Sequence, residues 1–323
     1  MLSELHPQSR IYVAGHRGLA GSALVRRLEA HGYRNLLVRS HAELELADQR
    51  AVRAFFDEAK PECVILAAAK VGGILANATY PAEFIQVNLA IQQSVVHEAW
   101  RAGVARLLFL GSSCIYPRDC PQPIKEEALL TGPLEATNRP YAIAKIAGIE
   151  MCWAYNRQYG SRFLAAMPTN LYGPGDNYDL ETAHVLPALI RKMHEAKACD
   201  DNDVVVWGTG MPRREFLYSD DMADACIHLL RQPDAVLDSL LTAAAPPLIN
   251  IGCGEDLTIA ELATMVARIV GFEGSLRFDA AKPDGTPRKL LDVRRVNALG
   301  WRAATSMERG IRLAYEDFLA RRQ

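Results

Sequence analysis

Short apolar runs alternate with amphipathic stretches through the first half of the chain. The apolar runs have the composition of buried strands, and they cover residues 11–14, 36–38, 64–69, 107–111 and 163–167. The stretches between them predict helices at residues 18–31, 48–60, 81–101 and 141–158. Asp48 is placed to cap the second of these helices, and Pro61 follows its end. Strands and helices that alternate at this spacing predict an α/β protein with a doubly wound parallel sheet and right-handed connections.

The pattern changes in the second half. Glycine, proline and aspartate crowd residues 171–179, and a helix is predicted at residues 182–195. Mixed elements follow, with predicted strands at 204–207 and 248–251 and predicted helices after Asp220 and Thr258. We interpret residues 8–173 as one domain, to which a segment at about 216–251 returns. Residues 174–323 are then mainly a smaller α/β lobe that binds substrate.

Composition narrows the class of protein. The chain has 323 residues, of which 50% are hydrophobic and 23% charged, with a formal net charge of −2. This apolar fraction excludes a mainly disordered chain, and the near-neutral charge predicts no nucleic-acid partner. The longest apolar stretches, such as residues 63–69, fall far short of the ~20 residues that a membrane span needs.

Cysteine usage and the first residues bear on the compartment. The seven cysteines form no C-x-x-C pair, so we expect neither a disulfide framework nor a zinc site, and we predict no metal. The first ten residues contain no apolar segment of the kind found in secretion signals. Both observations predict a protein of the reducing cytoplasm.

A glycine-rich loop lies between the first predicted strand and the first predicted helix. Its spacing is G-x-x-G-x-x-G, which suits a tight turn, close backbone approach to a pyrophosphate and anion binding at a helix N-terminus. Three glycines could also form a simple turn, but the strand–loop–helix context favours the dinucleotide loop of a Rossmann-type domain. The residues that we assign to it are Gly15, His16, Arg17, Gly18, Leu19, Ala20 and Gly21.

The end of the second predicted strand bears on the choice of nicotinamide cofactor. NAD sites usually carry an acidic residue there, which bonds the ribose 2′-hydroxyl. Here Arg39 follows the strand, and no acid occurs before Glu43. Arg39 and Arg17 together would suit the 2′-phosphate of NADPH, so NADPH is the predicted cofactor. The alternative is that Arg39 only points to solvent.

A tyrosine and a lysine lie four residues apart on the helix predicted at 141–158. Tyr141 and Lys145 therefore share one helical face. A phenol has a pKa near ~10, and a neighbouring ammonium group is expected to lower it, which would favour proton exchange with an alkoxide. Ser112, at the end of the fourth strand, could polarise a carbonyl group. These residue types in this order predict a carbonyl reductase site.

With these residues in place, the sequence resembles the extended short-chain dehydrogenase/reductase family. The resemblance covers nearly the whole chain, and it rests on motifs at residues 14–18, 67–74, 111–117, 140–145, 167–174 and 282–289. The third motif, which contains Cys114, and the last one are the most selective. They are similar to those of family members that epimerise GDP-4-keto-6-deoxy-D-mannose at C3 and C5 and then reduce its C4 ketone with NADPH.

The resemblance implies roles for individual residues. Tyr141, Lys145 and Ser112 would serve catalysis, Cys114 would be the base of the epimerisation, and His184 would return the proton. Lys145 or a helix N-terminus is expected to lower the pKa of the thiol. From the residues alone, Cys114 could equally be a small buried hydrophobic residue and His184 a hydrogen-bonding residue in the first turn of its helix.

Cofactor and substrate contacts also follow from the resemblance. Beyond the glycine-rich loop and Arg39, the implied cofactor contacts are Leu110, Gly111, Ser112, Ser113, Lys145, Pro168, Thr169, Asn170, Leu171 and His184. The implied contacts to the nucleotide-sugar, whose diphosphate attracts cations, are Lys192, Trp207, Arg214, Asp284 and, as a weaker candidate, Lys289. Two positions depart from the family pattern, since Lys192 and His41 stand where arginine is common.

The resemblance also implies a homodimer, formed through the helices predicted at 81–101 and 141–158. Ile143, Ile146 and Trp153 place apolar side chains outside the face of Tyr141 and Lys145. Two other functions stay open at this point. One is a related nucleotide-sugar epimerase, reductase or 4,6-dehydratase, although the dehydratases usually carry acidic residues where this chain has Ser113 and Cys114. The other is a non-catalytic protein that senses NADPH.

Overall fold

The computed structural model describes residues 5–282 and 284–321, without the side chains of Ile74 and Leu75. The strands are β1 Ile11–Ala14, β2 Leu36–Leu37, β3 Cys63–Leu66, β4 Arg106–Leu110, β5 Phe163–Pro168, β6 Asn170–Tyr172, β7 Asp203–Trp207, β8 Arg213–Arg214, β9 Phe216–Tyr218, β10 Leu248–Ile251, β11 Leu257–Thr258, β12 Ser275–Asp279 and β13 Arg288–Lys289. The helices are α1 Leu19–Ala30, α2 Gln49–Ala59, α3 Ile74–Thr79, α4 Pro81–Arg101, α5 Arg139–Tyr159, α6 Val185–Ala198, α7 Ser219–Leu230, α8 Asp234–Leu240, α9 Ile259–Val270, α10 Arg294–Ala298 and α11 Met307–Ala320.

Six parallel strands form the central sheet, in the spatial order β10-β5-β4-β3-β1-β2. The four residues of β1 and of β3 are all buried, as expected for strands that are covered on both faces. On one face, α2, α4 and α5 contribute residues such as Phe56, Val95 and Ile149 to the core. On the other face, α1 and α7 contribute Leu24 and Ile227. The predicted α/β class with a doubly wound parallel sheet is confirmed.

Local sequence signals account for the helix ends. The carboxylate of Asp48 accepts from the amide of Arg50 at 2.9 Å and so caps α2. The same helix ends at Lys60, whose φ of 47° is left-handed, directly before Pro61. A reciprocal capping box of Thr258 and Glu261 starts α9. Helix α3 was not predicted, because its six residues are too few to show a periodic pattern.

A third apolar cluster lies away from the central sheet. Helices α6, α9 and α11 pack there with the parallel pair β7 and β12, and the cluster includes Ile190, Val266 and Phe318. The chain crosses between this part and the sheet more than once, since β10 joins the sheet beside β5. Residues 290–301 also return, because Leu291 lies in the first core and Val296 in the second.

Buried Glu215 forms hydrogen bonds with several of the segments that cross between the two parts. Its carboxylate accepts from the backbone amides of Gly254 at 2.7 Å and Leu291 at 2.9 Å. Its backbone carbonyl accepts from the side chains of Thr169 and Asn170, at the end of β5 and the start of β6. Hydrogen bonds of Glu215 thus hold the segments at Gly254 and Leu291 next to the carboxyl end of β5.

Close backbone packing shapes the loop between β1 and α1. Gly15 has a φ of 87°, which side-chain-bearing residues rarely adopt. A Cβ atom at Gly21 would lie 2.0 Å from the carbonyl oxygen of Gly15, so the first turn of α1 packs directly on the loop. At Gly18, by contrast, the nearest atom to an added Cβ would be 3.6 Å away. Gly15 and Gly21 are therefore needed for packing, whereas a Cβ at Gly18 would make only an ordinary van der Waals contact.

We expect Gly21→Ala to lower the free energy of unfolding by about 1–3 kcal/mol, because the collision outweighs the gain in helix propensity. Gly18→Ala is the matched control, and its effect should stay below about 1 kcal/mol. Urea unfolding of both variants measures the difference. Equal stabilities would mean that the loop relaxes and that the close approach does not constrain it.

Candidate active site

Predicted site residues gather where the sheet strands end. The glycine-rich loop follows β1, Ala67 follows β3, Gly111 follows β4, and Thr169 follows β5. All these strands are parallel, so their carboxyl ends lie at one edge of the sheet. The order of the strands reverses between β1 and β3, which is the usual position of a ligand crevice in such sheets.

The N-terminus of α1 is open toward this crevice. Gly18 is the N-cap residue, and no side chain of the described residues caps the helix. The first-turn amide groups therefore remain available to an anion, and the absence of a Cβ at Gly18 leaves room for it. His16 adds a buried Nδ1 that has no hydrogen-bond partner within the described residues. This geometry fits the pyrophosphate of a dinucleotide.

Two arginines lie at the far end of this crevice. The guanidinium of Arg39 lies 5.2 Å from the ring centroid of Phe55 and bonds the carbonyl of Val38 at 2.8 Å, so it is held in place rather than free in solvent. Hydrogen bonds from Ser40 lower the pKa of Glu43, and the charges of Arg39 and Arg17 lower it further. Both guanidinium groups thus act on one carboxylate.

His41 behaves differently from these arginines. It is exposed, and its Nε2 lies 2.7 Å from the carboxylate of Glu45, four residues further along the chain. A residue held by its own neighbour in this way supplies no free cation beside Arg39. The two arginines are therefore the groups of this region that fit a 2′-phosphate.

Helix α5 carries the predicted Tyr–Lys pair. Lys145 donates from Nζ to the carbonyl of Leu110, at the end of β4, over 2.7 Å. The same Nζ lies 4.8 Å from the ring centroid of Phe109 and 5.8 Å from that of Tyr141. Burial lowers the pKa of Lys145 to about 8. The lysine thus bridges the catalytic helix and the end of the strand that precedes Ser112.

The pKa of Tyr141 moves in the direction opposite to the expected one. Burial raises the pKa of the phenol well above its ordinary value, and Cys114 adds to this effect. A hydrogen bond with Ser112 opposes it. The expected fall in this pKa is therefore outweighed, because the loss of water around a phenolate is the largest influence on it. The Tyr141 hydroxyl therefore keeps its proton at neutral pH.

Ser112 and Cys114 lie side by side beyond β4. Ser112 caps the short 3-10 turn of residues 113–115, and its Oγ accepts from the Cys114 amide at 3.5 Å. Cys114 is 6% exposed, and burial raises the pKa of its thiol. Lys289 opposes this rise most, followed by Ser112 and Lys145. The expected lowering is therefore outweighed, and the main opposing cation is Lys289 rather than Lys145.

His184 is the N-cap residue of α6 and does not lie within its first turn. The predicted start at 182 is wrong, because the Asp179 carboxylate binds the amide and hydroxyl of Thr182 and folds these residues into a turn. This turn packs near Gly73, which follows β3. Desolvation by surrounding protein lowers the pKa of the imidazole, although the residue keeps exposed surface. His184 is thus carried to the crevice by a turn.

Predicted substrate residues meet around an exposed indole. Trp207 is 57% exposed, and its ring centroid lies 5.3 Å from Nζ of Lys192 and 5.2 Å from Nζ of Lys282. Lys282 was noted only as part of a motif, and its neighbour Pro283 lies outside the described residues. Burial lowers the pKa of Lys192. Two ammonium groups beside one aromatic ring suit a nucleoside diphosphate.

Asp284 and Arg214 lie close to this indole. The Asp284 carboxylate accepts from the amide of Thr209 at 2.7 Å and from its hydroxyl at 2.8 Å, so it holds the turn after β7. Burial lowers the pKa of Arg214, and Asp284 opposes that change. Arg214 is paired in register with Lys289 across β8 and β13. Lys192, Trp207 and Asp284 therefore lie together around the end of β7, and Arg214 and Lys289 lie beside each other on β8 and β13.

The remaining predicted cofactor residues lie along β4, β5 and β6. Leu110, Ser113 and Thr169 are buried. At Gly111 a Cβ would lie 2.1 Å from the Met167 side chain, so the backbone there is closely packed. The others are Pro168, which ends β5, and Asn170 and Leu171, which belong to β6.

A narrow cleft beside Cys114 contains residues that the sequence analysis missed. We call it the Cys114 cleft, and it is lined among others by Cys114, Gln122, Glu135, Asn138, Arg288 and Lys289. Asn138 is the N-cap residue of α5, and its buried Oδ1 has no partner within the described residues. Its position three residues before Tyr141, at a helix start, was the signal that could have identified it.

The described residues contain no group of histidine, cysteine and acidic side chains that could hold a metal ion. In the same part of the chain, no helix combines the length and the apolar character that crossing a bilayer requires.

Comparison with known proteins relates this geometry to a family. The sequence profile of the NAD dependent epimerase/dehydratase family matches residues 11–252. GDP-L-fucose synthase 1 of Arabidopsis thaliana is 55% identical over 96% of this chain and 93% of its own length. The GDP-L-fucose synthase of Escherichia coli is 53% identical over 97% of both chains.

Comparison with a solved structure also relates the chain to an enzyme that acts on a GDP-sugar. MlghC, a GDP-mannoheptose C4 reductase from Campylobacter jejuni with NADP bound, superposes with a TM-score of 0.88 at 40% identity. The match covers 98% of this chain and 99% of that one. The chain therefore belongs to the NAD dependent epimerase/dehydratase family, and within that family it groups with the GDP-L-fucose synthases.

Proposed function

We propose that this protein converts GDP-4-keto-6-deoxy-D-mannose to GDP-L-fucose, by epimerisation at C3 and C5 and reduction of the C4 ketone with NADPH. The observation that carries this proposal is the arrangement of Ser112, Cys114, Tyr141 and Lys145 at the end of β4, beside an open helix N-terminus. The GDP-L-fucose synthases of Arabidopsis thaliana and Escherichia coli, which share more than half of its residues, support it.

The crevice would hold NADPH through groups of this chain. The open amides at Gly18 would bind its pyrophosphate, and Arg17 and Arg39 its 2′-phosphate. Lys145, the ends of β4 and β5, and His184 would line the nicotinamide side. When bound, NADPH supplies the hydride that reduces the C4 ketone.

Epimerisation begins with loss of a proton from a carbon next to the ketone. Cys114 would remove the protons at C3 and C5, and the hydroxyls of Ser112 and Tyr141 would stabilise the negative oxygen that forms. His184 would return a proton to the opposite face. Desolvation lowers the pKa of this imidazole, so its protonated form is lost at a lower pH than that of an ordinary histidine. The same pair of hydroxyls then serves the second reaction.

Reduction of the ketone needs a proton for the C4 oxygen. The raised pKa of Tyr141 keeps its hydroxyl protonated at neutral pH, so the phenol can give that proton to the developing alkoxide. Lys145 would hold the helix in register through Leu110 and favour the phenolate left behind.

The nucleotide part of the substrate would lie against Trp207. Lys192 and Lys282 would bind the diphosphate beside the indole, and Arg214 would add a third cation. Asp284 would keep the turn after β7 in place through Thr209. We assign cofactor binding to residues 8–173 with the returning segments, and substrate binding mainly to residues 174–323.

We also place the enzyme in the cytoplasm as a homodimer formed by α4 and α5. Ile143 is 38% and Tyr159 47% exposed on α5, and the Tyr159 ring lies 4.3 Å from that of Trp100 on α4. Ile146 and Trp153 do not support this dimer face. Ile146 is buried in the core, and the indole of Trp153 donates to the backbone carbonyl of Thr242. All seven cysteines are free thiols, which suits a reducing compartment.

The decisive experiment is incubation with GDP-4-keto-6-deoxy-D-mannose and NADPH, followed by identification of the sugar. GDP-L-fucose with one NADPH consumed per product supports the proposal. A product without net consumption of NADPH would indicate a related epimerase, which recycles its cofactor. Binding of NADPH without turnover would indicate a sensing protein.

We expect Tyr141→Phe to lower kcat for reduction by about 10²–10⁴-fold, because the proton donor is lost. The dissociation constant of NADPH should change by less than about twofold, since the cofactor's phosphates are bound elsewhere. Tyr159→Phe, on the exposed end of the same helix, is the control and should keep full activity. Unchanged turnover in Tyr141→Phe would remove this residue from the mechanism.

Cys114→Ser should abolish solvent deuterium incorporation at C3 and C5, because a hydroxyl is a much weaker base than a thiolate. Mass spectrometry of the recovered substrate, in the absence of NADPH, measures this exchange. Cys120→Ser is the control, as Cys120 follows the same strand and is half-buried. Normal exchange in Cys114→Ser would point to a different base.

Arg39→Ala should raise the KM for NADPH by about 10–100-fold, the size expected for lost hydrogen bonds to a charged group. The KM for NADH should change far less, because NADH has no 2′-phosphate. Arg34→Ala, a nearby exposed arginine that bonds the carbonyl of Glu29, is the control. An equal effect on both cofactors would contradict the assignment of Arg39 to the 2′-phosphate.

A further inference from the structure

Lys289 is an unusual cation in the Cys114 cleft. It ends β13, whose parallel pairing with β8 places it opposite Arg214. Its ammonium group makes no hydrogen bond or ion pair with any residue in the described ranges, although the residue is half-buried. Its strand neighbour Arg288, by contrast, is paired with Asp256. A half-buried cation without a partner needs an anion nearby, because burial without one is costly.

Two side chains of the cleft can supply that anion. Glu135 faces Lys289 with a carboxylate that the amides of Thr137 and Asn138 hold in place, but it acts on the ammonium group less strongly than Cys114 does. Arg214 repels the ammonium group, and Arg118 and Arg288 add positive charge to the same cleft. Cys120 faces Lys289 as well, but more weakly than Cys114 does.

We propose that Lys289 is a positioning residue for the epimerisation, in which its ammonium group stabilises the thiolate of Cys114. This inference rests on the proposed function, in which Cys114 is the base. From the sequence, Lys289 is only a weaker candidate for substrate binding, and Lys145 or a helix N-terminus is the group expected to activate the thiol.

Lys145 is less suited to this task. Its ammonium group is engaged by the carbonyl of Leu110 and shares its surroundings with Tyr141. Of the groups that face Cys114, which are Lys289, Lys145, Ser112 and Tyr141, the first opposes the effect of burial on the thiol pKa most strongly. Each lysine would thus act on a different group. Lys145 would stabilise the phenolate of Tyr141, and Lys289 would stabilise the thiolate of Cys114.

The proton balance is simple. The Cys114 thiol releases its proton to solvent, and the thiolate then takes a proton from C3 or C5 of the sugar. The electron pair of that C–H bond moves to the C4 oxygen, and the thiol is restored. His184 gives a different proton to the carbon on the other face. Lys289 exchanges no proton in this cycle, and because burial lowers its pKa, its effect on the thiolate is lost as the pH rises through that lowered pKa.

The test compares Lys289→Met with Lys289→Arg, which keeps the charge, and with Arg288→Met, which removes one charge from the same strand. The thiolate of Cys114 is titrated by its ultraviolet absorbance, with Cys114→Ser in each background subtracted. We expect the midpoint in Lys289→Met to rise by about one pH unit or more, which means about tenfold less thiolate at a given pH. Lys289→Arg and Arg288→Met should keep the midpoint of the unaltered protein.

A second readout is the pH dependence of deuterium exchange at C3 and C5. The rising limb of this profile should move to higher pH in Lys289→Met by the same amount as the thiol midpoint. NADPH binding and the urea midpoint of unfolding show whether each variant is folded. If Lys289→Met is not folded, Lys289→Gln takes its place in the comparison.

An unchanged thiol midpoint, with only a higher KM for the GDP-sugar, would overturn the proposal and make Lys289 a substrate contact. The titration requires no substrate, so it stands apart from the proposed function. If the unaltered enzyme exchanged no deuterium, the proposed function would fail even where the thiol titration still depended on Lys289.

Discussion

The hydrogen bond from Lys145 to the carbonyl of Leu110 joins the helix that carries Tyr141 to the strand that delivers Ser112 and Cys114. Tyr141 lies one turn before Lys145 on the same helical face, and the serine and the cysteine follow Leu110 directly along the chain. A single contact between α5 and β4 thus fixes the register of all four groups. Displacement of this helix would separate the phenol from the thiol and the serine at once.

Burial governs the chemistry of this site more than any ion pair does. It raises the pKa of Tyr141 and Cys114 and lowers that of Lys145 and Lys289. Each group is therefore driven toward its uncharged form, and each needs a specific neighbour to become charged. Such a site resists ionisation of its own side chains, and charge forms there only where a neighbouring group stabilises it.

Much of this arrangement could be predicted from local sequence. The central strands, the cap at Asp48 and the bounds of α4 follow from short-range patterns. The start of α6 was misplaced, because side-chain bonds of Asp179 compete with the helix, and a propensity argument cannot weigh that competition. The proximity of Lys289 to Cys114 could not be predicted either. It depends on the pairing of β13 with β8, which joins segments far apart in the chain.

The returns of the chain to the sheet affect how the protein folds. Strand β10 forms one edge of the central sheet, and residues 290–301 cover parts of both its faces. Apolar surface on the early strands therefore stays uncovered on the ribosome until almost the whole polypeptide has been made. Contacts between residues so far apart in the sequence slow folding, and they prolong the lifetime of folding intermediates that expose apolar surface. Residues 290–301 thus belong to the core of the sheet, and a chain that ends before residue 290 would leave this apolar surface uncovered.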